Sequence, residues 1–259
     1  MKIVKRFSFL TAPFLLAAVT SLQADGIGGE IAVGGWNHDP SGWVKYPNKM
    51  PDAISKVDAD DDLHLDTQTD LYLRAKLEHP IPLVPNIRIG YNRTETTGDG
   101  TLGRRVVFGD TEFAAGSNIH TETQLNNTDG TLYYQIVDKG IDFDLGLTVR
   151  YFDGYVTVTD KTSHIKDTGD VDFVVPMLYA NFRWPLPFLE GLSIGAEGNW
   201  LSYDGSSLYD IQTDARYTLP MGLGLEVGYR YQKIKLDDID DTDADIDISG
   251  VYGGIVWDF

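Results

Sequence analysis

The chain of 259 residues lacks cysteine altogether and is poor in positive charge. Without cysteine, a disulfide framework, a thiolate metal site and a cysteine nucleophile are all excluded. The 21 Lys and Arg residues stand against 39 Asp and Glu residues, which gives a formal net charge of −18. Nucleic-acid recognition needs a basic face that displaces counterions, so the composition argues against a nucleic-acid partner.

Long apolar runs are also missing after residue 24, so no membrane-spanning helix is expected there. The first 24 residues carry a basic start, a short apolar run over Phe7–Val19 and a small residue, Ala24. This pattern predicts a signal peptide, residues 1–24, cleaved after Ala24. A membrane anchor is the weaker reading, because Pro13 interrupts the short run. The protein is therefore expected to be exported, and any span of a bilayer must be built from strands.

Apolar and polar side chains alternate through most of the mature chain. In the segment 141–151, one face carries Ile141, Phe143, Leu145, Leu147, Val149 and Tyr151. A period of two is the signature of a strand. The same alternation predicts ten strands, at 27–36, 63–78, 86–95, 118–137, 141–159, 171–184, 192–203, 206–219, 223–236 and 245–259. The alternation is poorly defined in 118–130 and near Ser249-Gly250, which leaves a bulge or a misplaced strand boundary open at these two places.

The connections between these strands fall into two alternating classes. Four are short and carry little charge: 80–85, 138–140, 185–191 and 220–222. Most of the others are longer and acidic: 37–62, 96–117, 160–170 and 237–244. Short turns on one rim and long loops on the other predict an all-β, antiparallel, up-and-down transmembrane barrel over residues 25–259, with about ten strands and both termini periplasmic.

One hairpin can be registered from its turn. Asp204-Gly205 predicts a two-residue type I′ turn. Counting back from this turn pairs Trp200 with Tyr209 on the outward face, beside the loop rim. Paired aromatics at this level are typical of the girdle at a membrane interface. The girdle at the opposite rim is predicted to contain Trp184, Tyr217, Trp257 and Phe259.

The last strand ends on a pattern of outward apolar residues. Counting back in twos from the terminus, these are Val251, Gly253, Ile255, Trp257 and Phe259. A terminal aromatic with alternate apolar residues before it resembles the carboxy-terminal signal by which Gram-negative outer-membrane barrels are recognised for assembly. The resemblance implies a partner, the outer-membrane assembly machinery.

Three further segments strengthen this resemblance. They are "GVYGGIVWDF" with the pair Gly253-Gly254, "TLYYQIVDKGIDFDLGLTVRYFDG" and "VPMLYANFRWPLP". Together they resemble a family of Gram-negative outer-membrane barrel proteins of unassigned function with a Gly-Gly pair in the last strand. The resemblance implies the barrel fold and the outer membrane as location, and it transfers no activity. Outer-membrane lipid and lipopolysaccharide are the expected surroundings, and a monomer is the expected state.

Charged residues occupy many of the inward positions. The predicted lumen set is Glu30, Asp66, Asp70, Arg74, Lys76, Arg88, Asp144, Arg150, Arg183, Glu197, Asp214, Arg216, Glu226 and Arg230. A turn at 220–222 places Arg216 opposite Glu226. Two readings are open: ion pairs that brace a filled lumen, because buried charges must be paired, or a charged constriction in a narrow pore. The small number of strands favours the first reading.

Alternate aspartates near the last loop suggest a weak divalent-cation site. They are Asp241, Asp243, Asp245 and Asp247. Their spacing resembles the start of a calcium loop, but the glycine and glutamate that complete such a loop are missing. A solvated acidic rim is the favoured alternative, and no other cofactor is expected.

Catalysis finds little support in the sequence. Acidic residues are plentiful, and His38, His120 and His164 are placed in or near outer loops, but no protease motif is recognisable. Ser163 and His164 are adjacent, so in an extended chain their side chains point to opposite sides. We therefore expect no enzymatic activity and no catalytic residues.

The sequence leaves three functions open. The favoured one is a structural barrel or narrow passive channel for small solutes. An adhesin or receptor that binds through its loops is the alternative, because Trp43 and Tyr46 could serve as aromatic anchors. A surface hydrolase is the weakest of the three.

Overall fold

The computed structural model describes residues 27–45, 55–239 and 242–259. The predicted signal peptide lies outside this part of the chain. No helix among the described residues has the length and apolar character that a membrane crossing requires. The strands are β1 (Gly28–Lys45), β2 (Lys56–Asp58), β3 (Gln68–Glu78), β4 (Asn86–Asn92), β5 (Glu95–Thr101), β6 (Val106–Phe108), β7 (Thr111–Phe113), β8 (Asn118–Val137), β9 (Asp142–Asp160), β10 (Lys166–Pro185), β11 (Leu192–Tyr203), β12 (Ser206–Thr218), β13 (Leu223–Ile239) and β14 (Thr242–Asp258).

The long strands close into a barrel. Each pairs antiparallel with its neighbours in chain order, and β14 pairs back onto β1. β4 and β5 together form one stave against β8, interrupted at Arg93 and Thr94, where the Asn126 side chain accepts a hydrogen bond from the Thr94 backbone N–H at 2.8 Å. This confirms the predicted all-β, antiparallel barrel of ten strands.

The register fixes how wide the barrel is. Following the paired residues from Gly29 once around the sheet leads back to β1 at Ser41, twelve residues further along. This stagger makes the strands tilt by about 40° to the barrel axis, and a ten-stranded barrel is only slightly wider than one that side chains fill. A barrel of this width can be filled largely by its own inward side chains.

The predicted hairpin register is confirmed. Trp200 pairs with Tyr209, and Arg216 pairs with Glu226. The turn at Asp204-Gly205 has φ values of 48° and 82°, as a type I′ turn requires.

The outer surface is apolar over the lower part of the barrel, on the side of the chain termini. Exposed outward residues in this belt include Ile31, Val33, Leu71, Leu73, Ile87, Ile89, Leu132, Leu147, Val149, Leu178, Ile211, Leu225, Val227, Val251 and Ile255. Exposed Trp184, Tyr217, Trp257 and Phe259 border it at the terminal rim, and Trp200 and Tyr209 lie near its opposite edge. An apolar belt between aromatic girdles is the surface that a barrel presents to lipid. The fold is that of an outer-membrane-type β-barrel.

Above the belt the strands continue where loops were predicted. The expected loops at 37–62, 96–117, 160–170 and 237–244 are each partly strand, because β1, β5, β9, β10, β13 and β14 extend through them. In the other direction, the predicted strand at 63–78 begins only at Gln68. His64 has a φ of 53° in the turn before it, and Asp66 is exposed. Asp66 is therefore not a lumen residue, and that prediction was wrong.

These extensions form because the apolar face of the strands changes sides. In β13, Leu225, Val227 and Tyr229 face outward, whereas further along Ile234 and Leu236 face inward. Lipid surrounds the belt and water surrounds the extension, so the face that avoids water is reversed. The same change occurs in β14 near Ser249-Gly250, where pairing continues without a register shift. Of the two alternatives that the sequence left open there, neither a bulge nor a strand boundary is present, and the poor alternation marks this change of face.

A charge placed on the belt should impair the barrel. Arginine at a lipid-facing position near the middle of the membrane costs about 2–4 kcal/mol. Val227→Arg should therefore lower the free energy of unfolding in vesicles by about this amount, measured by urea titration. Val227→Leu is the control and should be nearly neutral. Equal stability of the two variants would contradict the assignment of this face to lipid.

Candidate functional site

A ring of four charged side chains fills the lumen near the terminal rim. Arg74 donates to Glu30 (Nε to Oε1, 2.7 Å) and to Glu226 (Nη2 to Oε2, 2.8 Å). Arg216 donates to the same two carboxylates, at 2.6 Å and 2.9 Å. The Tyr72 hydroxyl adds a hydrogen bond to Glu226 at 2.7 Å. Positive and negative groups thus alternate around the ring, and all four residues are buried.

A second cluster lies beside this ring. Arg88 donates to Glu197, and the Tyr179 hydroxyl donates to the other oxygen of that carboxylate at 3.0 Å. Lys76 lies 3.8 Å from Glu197. The predicted lumen residues Arg183 and Asp214 make a separate pair, with two hydrogen bonds of 3.0 Å each. Every one of these carboxylates therefore has a cation beside it.

A third cluster closes the lumen at the upper edge of the belt. Arg150 donates to Asp129 at 2.6 and 2.7 Å, and its Nη2 lies 2.6 Å from an oxygen of Asp210. Arg230 donates to Asp210 at 2.9 and 2.7 Å and to Asn92 Oδ1 at 2.5 Å. The residues come from β4, β8, β9, β12 and β13, so the cluster links opposite walls of the barrel.

The clusters contain most of the predicted lumen residues. The structure places thirteen of the fourteen inside the barrel, and Asp66 is the exception. Removing one partner of a buried ion pair costs about 3–5 kcal/mol, because the remaining charge stays desolvated. Charged side chains thus fill the lumen below the third cluster. They stabilise the barrel only when each charge keeps its partner.

His38 is a lumen residue that the sequence assigned to an outer loop. It is fully buried in β1, and its Nε2 lies 3.0 Å from Asp70 Oδ2. The assignment was wrong because β1 extends beyond its predicted end. The alternation of Trp36, His38 and Pro40, all buried, was the signal that could have shown this.

Above the third cluster the inward residues become apolar and enclose a cavity of about 580 Å³, which we call the cup. Its floor is formed by Ile248 and His38. Its wall contains apolar residues of eight barrel strands: Val44, Leu125, Val156, Val171, Phe173, Val175, Leu201, Leu208, Ile234, Leu236, Ala244 and Ile246. Most of these side chains are only half-buried, because nothing fills the space between them.

A lid of loop residues covers the cup. Val57, Leu63, Leu102, Val106, Phe108 and Phe113 pack with Ile119 and Val158 of the barrel wall into one buried cluster. Val57 and Leu63 also line the cup from above. Arg104 anchors the lid through an ion pair with Asp62. Sequence reasoning missed the lid, because β2 and the β6–β7 hairpin are too short to give a clear alternation.

The wall of the cup has an opening on one side. β10 pairs with β11 only from Leu178 onward, so the segment Lys166–Met177 has no partner strand on that side among the described residues. The β11–β12 hairpin ends at Tyr203 and Ser206, well below the end of β10. Tyr203, Ser206 and Ser207 line the cup at this edge, and Tyr203 is 76% exposed.

At the acidic rim, the aspartate carboxylates accept hydrogen bonds from lysine side chains. Asp245 and Asp247 accept hydrogen bonds from Lys233, and Asp243 accepts one from Lys45 at 3.2 Å. The Asp238 backbone N–H and Lys45 hold the pKa of Asp243 below its usual range. Asp241 lies outside the described residues. Within the described part of the chain no group of three or more metal-ligating side chains is found.

At the loop rim, His120 also contacts a carboxylate. His120 Nδ1 lies 2.8 Å from Asp99 Oδ1, and Lys161 forms an ion pair with the same carboxylate. Hydrogen bonds from Lys161 and His120 hold the pKa of Asp99 below its usual range. His164 lies in a turn with a φ of 58°. These contacts join neighbouring strand extensions.

No protein-family model matches the chain, and no curated protein matches it. Among solved structures the chain is similar to the outer membrane protease OmpT from Escherichia coli, with 13% identity, a TM-score of 0.47 and coverage of 93% of this chain and 99% of that chain. It is also similar to the translocator domain of the autotransporter NalP from Neisseria meningitidis (10% identity, TM-score 0.43, 90% and 87% covered). Neisserial surface protein A is a third (9% identity, TM-score 0.30, 91% and 98% covered). At this level of similarity no residue role is transferred.

The ring near the terminal rim should behave as a coupled unit. Arg216→Ala should destabilise the barrel by about 3–5 kcal/mol, and adding Glu226→Ala should cost clearly less than the sum of the two single changes. The measurement is a double-mutant cycle from urea unfolding in vesicles.

As a control, Arg216→Ala combined with Asp210→Ala should be additive within about 0.5 kcal/mol, because Asp210 belongs to the third cluster. If the double-mutant cycle of Arg216 and Glu226 is equally additive, the two residues are not energetically coupled, and the prediction is contradicted.

Proposed function

We propose that the chain is a closed structural barrel of the bacterial outer membrane that carries the cup at the cell surface, and that it does not conduct solutes. The observation behind this proposal is the third cluster, in which Arg150, Arg230, Asp129 and Asp210 join opposite walls. The loop rim is taken to be extracellular and the termini periplasmic, as short turns at the terminal rim favour.

Of the two readings of the lumen charges, the geometry supports the braced lumen. An ion that crossed the barrel would have to separate buried ion pairs. Arg150 and Asp210, which form one such pair, are each only 1% exposed. Each separated charge would then lack both its partner and bulk water. A selective pore instead keeps its charged ring beside a water-filled path.

The structure gives little support to the alternative of an adhesin or receptor that binds through its loops. Trp43, offered as an anchor, lines the cup and has the Lys56 ammonium 3.8 Å from its ring centroid. Tyr46 lies outside the described residues. For the hydrolase alternative, Asp99 and His120 are in contact, but Lys161 competes for the carboxylate. We therefore assign no catalysis to the chain.

Conductance measurements test the closed barrel. Purified protein refolded into a planar bilayer should give no discrete current steps, while heat-modifiable gel migration confirms that it is folded. Replacing Arg150, Arg230, Asp129 and Asp210 together by alanine should leave the barrel folded, since removal of all four charges leaves none unpaired, and should still give no steps, because the ring and the second cluster fill the lumen below. Reproducible steps from the unmodified protein would contradict the proposal.

We also propose that the outward residues of β14 act as the assembly signal. Trp257 and Phe259 are exposed at the terminal rim with ring centroids 5.2 Å apart, and Phe259 closes the sheet through backbone hydrogen bonds with Gly29 at 2.9 and 3.0 Å. Trp257→Asp should lower the yield of folded barrel in outer-membrane fractions several-fold, whereas Asp258→Asn, on the inward side, should leave it unchanged. Equal yields would remove the proposed role.

A further inference from the structure

The apolar lining of the cup does not contribute to anchoring the barrel in lipid. It lies on the inward face of strand extensions that stand above the lipid-facing belt, where the outward face is polar. Inward residues of the lower lumen are packed and almost fully buried. Those of the cup, such as Phe173, Leu201 and Leu236, are half-buried around empty space. Protein interiors are close-packed, whereas this apolar-lined cavity of about 580 Å³ opens beside β10, which is the form of a ligand site.

The dimensions and chemistry of the cup fit one small apolar molecule. Ligand sites in proteins measure about 300–1,000 Å³ and are lined mainly by apolar side chains with few polar groups. The cup lies within this range, and aliphatic side chains dominate its wall. Beneath the floor of Ile248 and His38 lie Trp36 and the charged third cluster; the Trp36 ring is 4.5 Å from the Arg230 guanidinium carbon. An occupant therefore has no route onward through the lumen.

The route of entry is the opening beside β10. The lid covers the top of the cup, and paired strands close the other walls. The opening begins at the tip of the β11–β12 hairpin, a few residues above Trp200 and Tyr209 at the upper edge of the belt. Apolar Val174, exposed on the outer surface of β10, also lines the cup at this place. The opening is thus continuous with the surface that contacts the outer edge of the bilayer.

Charge at the opening selects against anions. Asp170 and Asp172 lie on its β10 side, and Asp237 lies beside the hairpin turn, where its carboxylate approaches Gly205. Lys235, exposed on the outward face of β13, is the cation at the edge of the cup. Three carboxylates against one ammonium give a negative field, so an anionic head group would be repelled.

We propose that the cup is a binding site for one uncharged, elongated apolar molecule of the alkyl-chain class, which enters sideways from the outer edge of the bilayer. Burial of the chain against the aliphatic wall supplies the binding free energy. The charged floor keeps the molecule in the cup. The barrel then acts as a surface receptor for a membrane-dissolved hydrocarbon compound, a role that goes beyond the closed structural barrel.

Photolabelling in lipid vesicles tests this site directly. The probe is hexadecyl alcohol carrying a terminal diazirine, and adducts are mapped by mass spectrometry after irradiation. We expect adducts on cup residues such as Phe173 and Ile234, in addition to adducts on lipid-facing residues such as Val227. The lipid-facing adducts serve as an internal standard, because every variant contacts the bilayer.

Variants that fill the cup provide the matched comparison. Val171→Trp and Val156→Trp each place a large ring in the cup and should lower cup adducts about tenfold, which corresponds to roughly 1.4 kcal/mol of binding free energy. Val149→Trp, a lipid-facing change on β9, should lower neither set of adducts. Folding of each variant is checked by heat-modifiable gel migration.

The outcomes decide the proposal even if the filled variants fail to fold. Adducts confined to lipid-facing residues in the unmodified protein would overturn the site, and cup adducts that persist at full level in folded, filled variants would do the same. The hexadecanoate analogue with the same diazirine should label the cup several-fold less than the alcohol. Stronger labelling by the carboxylate would overturn the assignment to an uncharged ligand.

Discussion

A guanidinium inside a ten-stranded barrel has little water to solvate it, and it is stable there only beside carboxylates that are equally desolvated. The structure meets this requirement by sharing: Arg74 and Arg216 contact the same two glutamates, and Arg150 and Arg230 both contact Asp210. Sharing joins strands far apart in the sequence, such as β3 and β13. The same contacts that satisfy the charges therefore hold opposite walls together and fill the lumen.

The second organising feature is the change of the apolar face along the strands. Within the belt the outward residues are apolar because lipid surrounds them, and the inward residues can be charged. Above the belt water surrounds the wall, so Lys233 and Lys235 face outward while Ile234 and Leu236 face inward. One barrel thus contains an ionic interior below and an apolar interior above. The boundary between them is the third cluster, which lies beneath the floor of the cup.

Much of this could be predicted from the sequence, and the failures share one cause. The ten strands, the Asp204-Gly205 hairpin and the pairing of Arg216 with Glu226 follow from alternation and turn chemistry, which are local. The ends of β1 and β10 and the position of His38 were missed, and so was the change of face in β14 at Ser249-Gly250. At each of these places the surroundings of the strand change from lipid to water, so the apolar residues move from the outward to the inward face. A rule that assigns apolar residues to the outward face throughout therefore fails there. The lid depends on contacts between short segments that no local pattern marks.

The central claim is that one barrel contains a closed lumen beneath an open cup, and cysteine labelling measures both. The chain has no native cysteine, so single cysteines can be placed at Thr148, which is fully buried in the lumen, and at Ile246 in the cup. With a small uncharged maleimide and the folded protein in vesicles, the account predicts rapid labelling at position 246 and almost none at position 148. Similar rates at the two positions would contradict it, since they would mean either a lumen open to solvent or a cup without access.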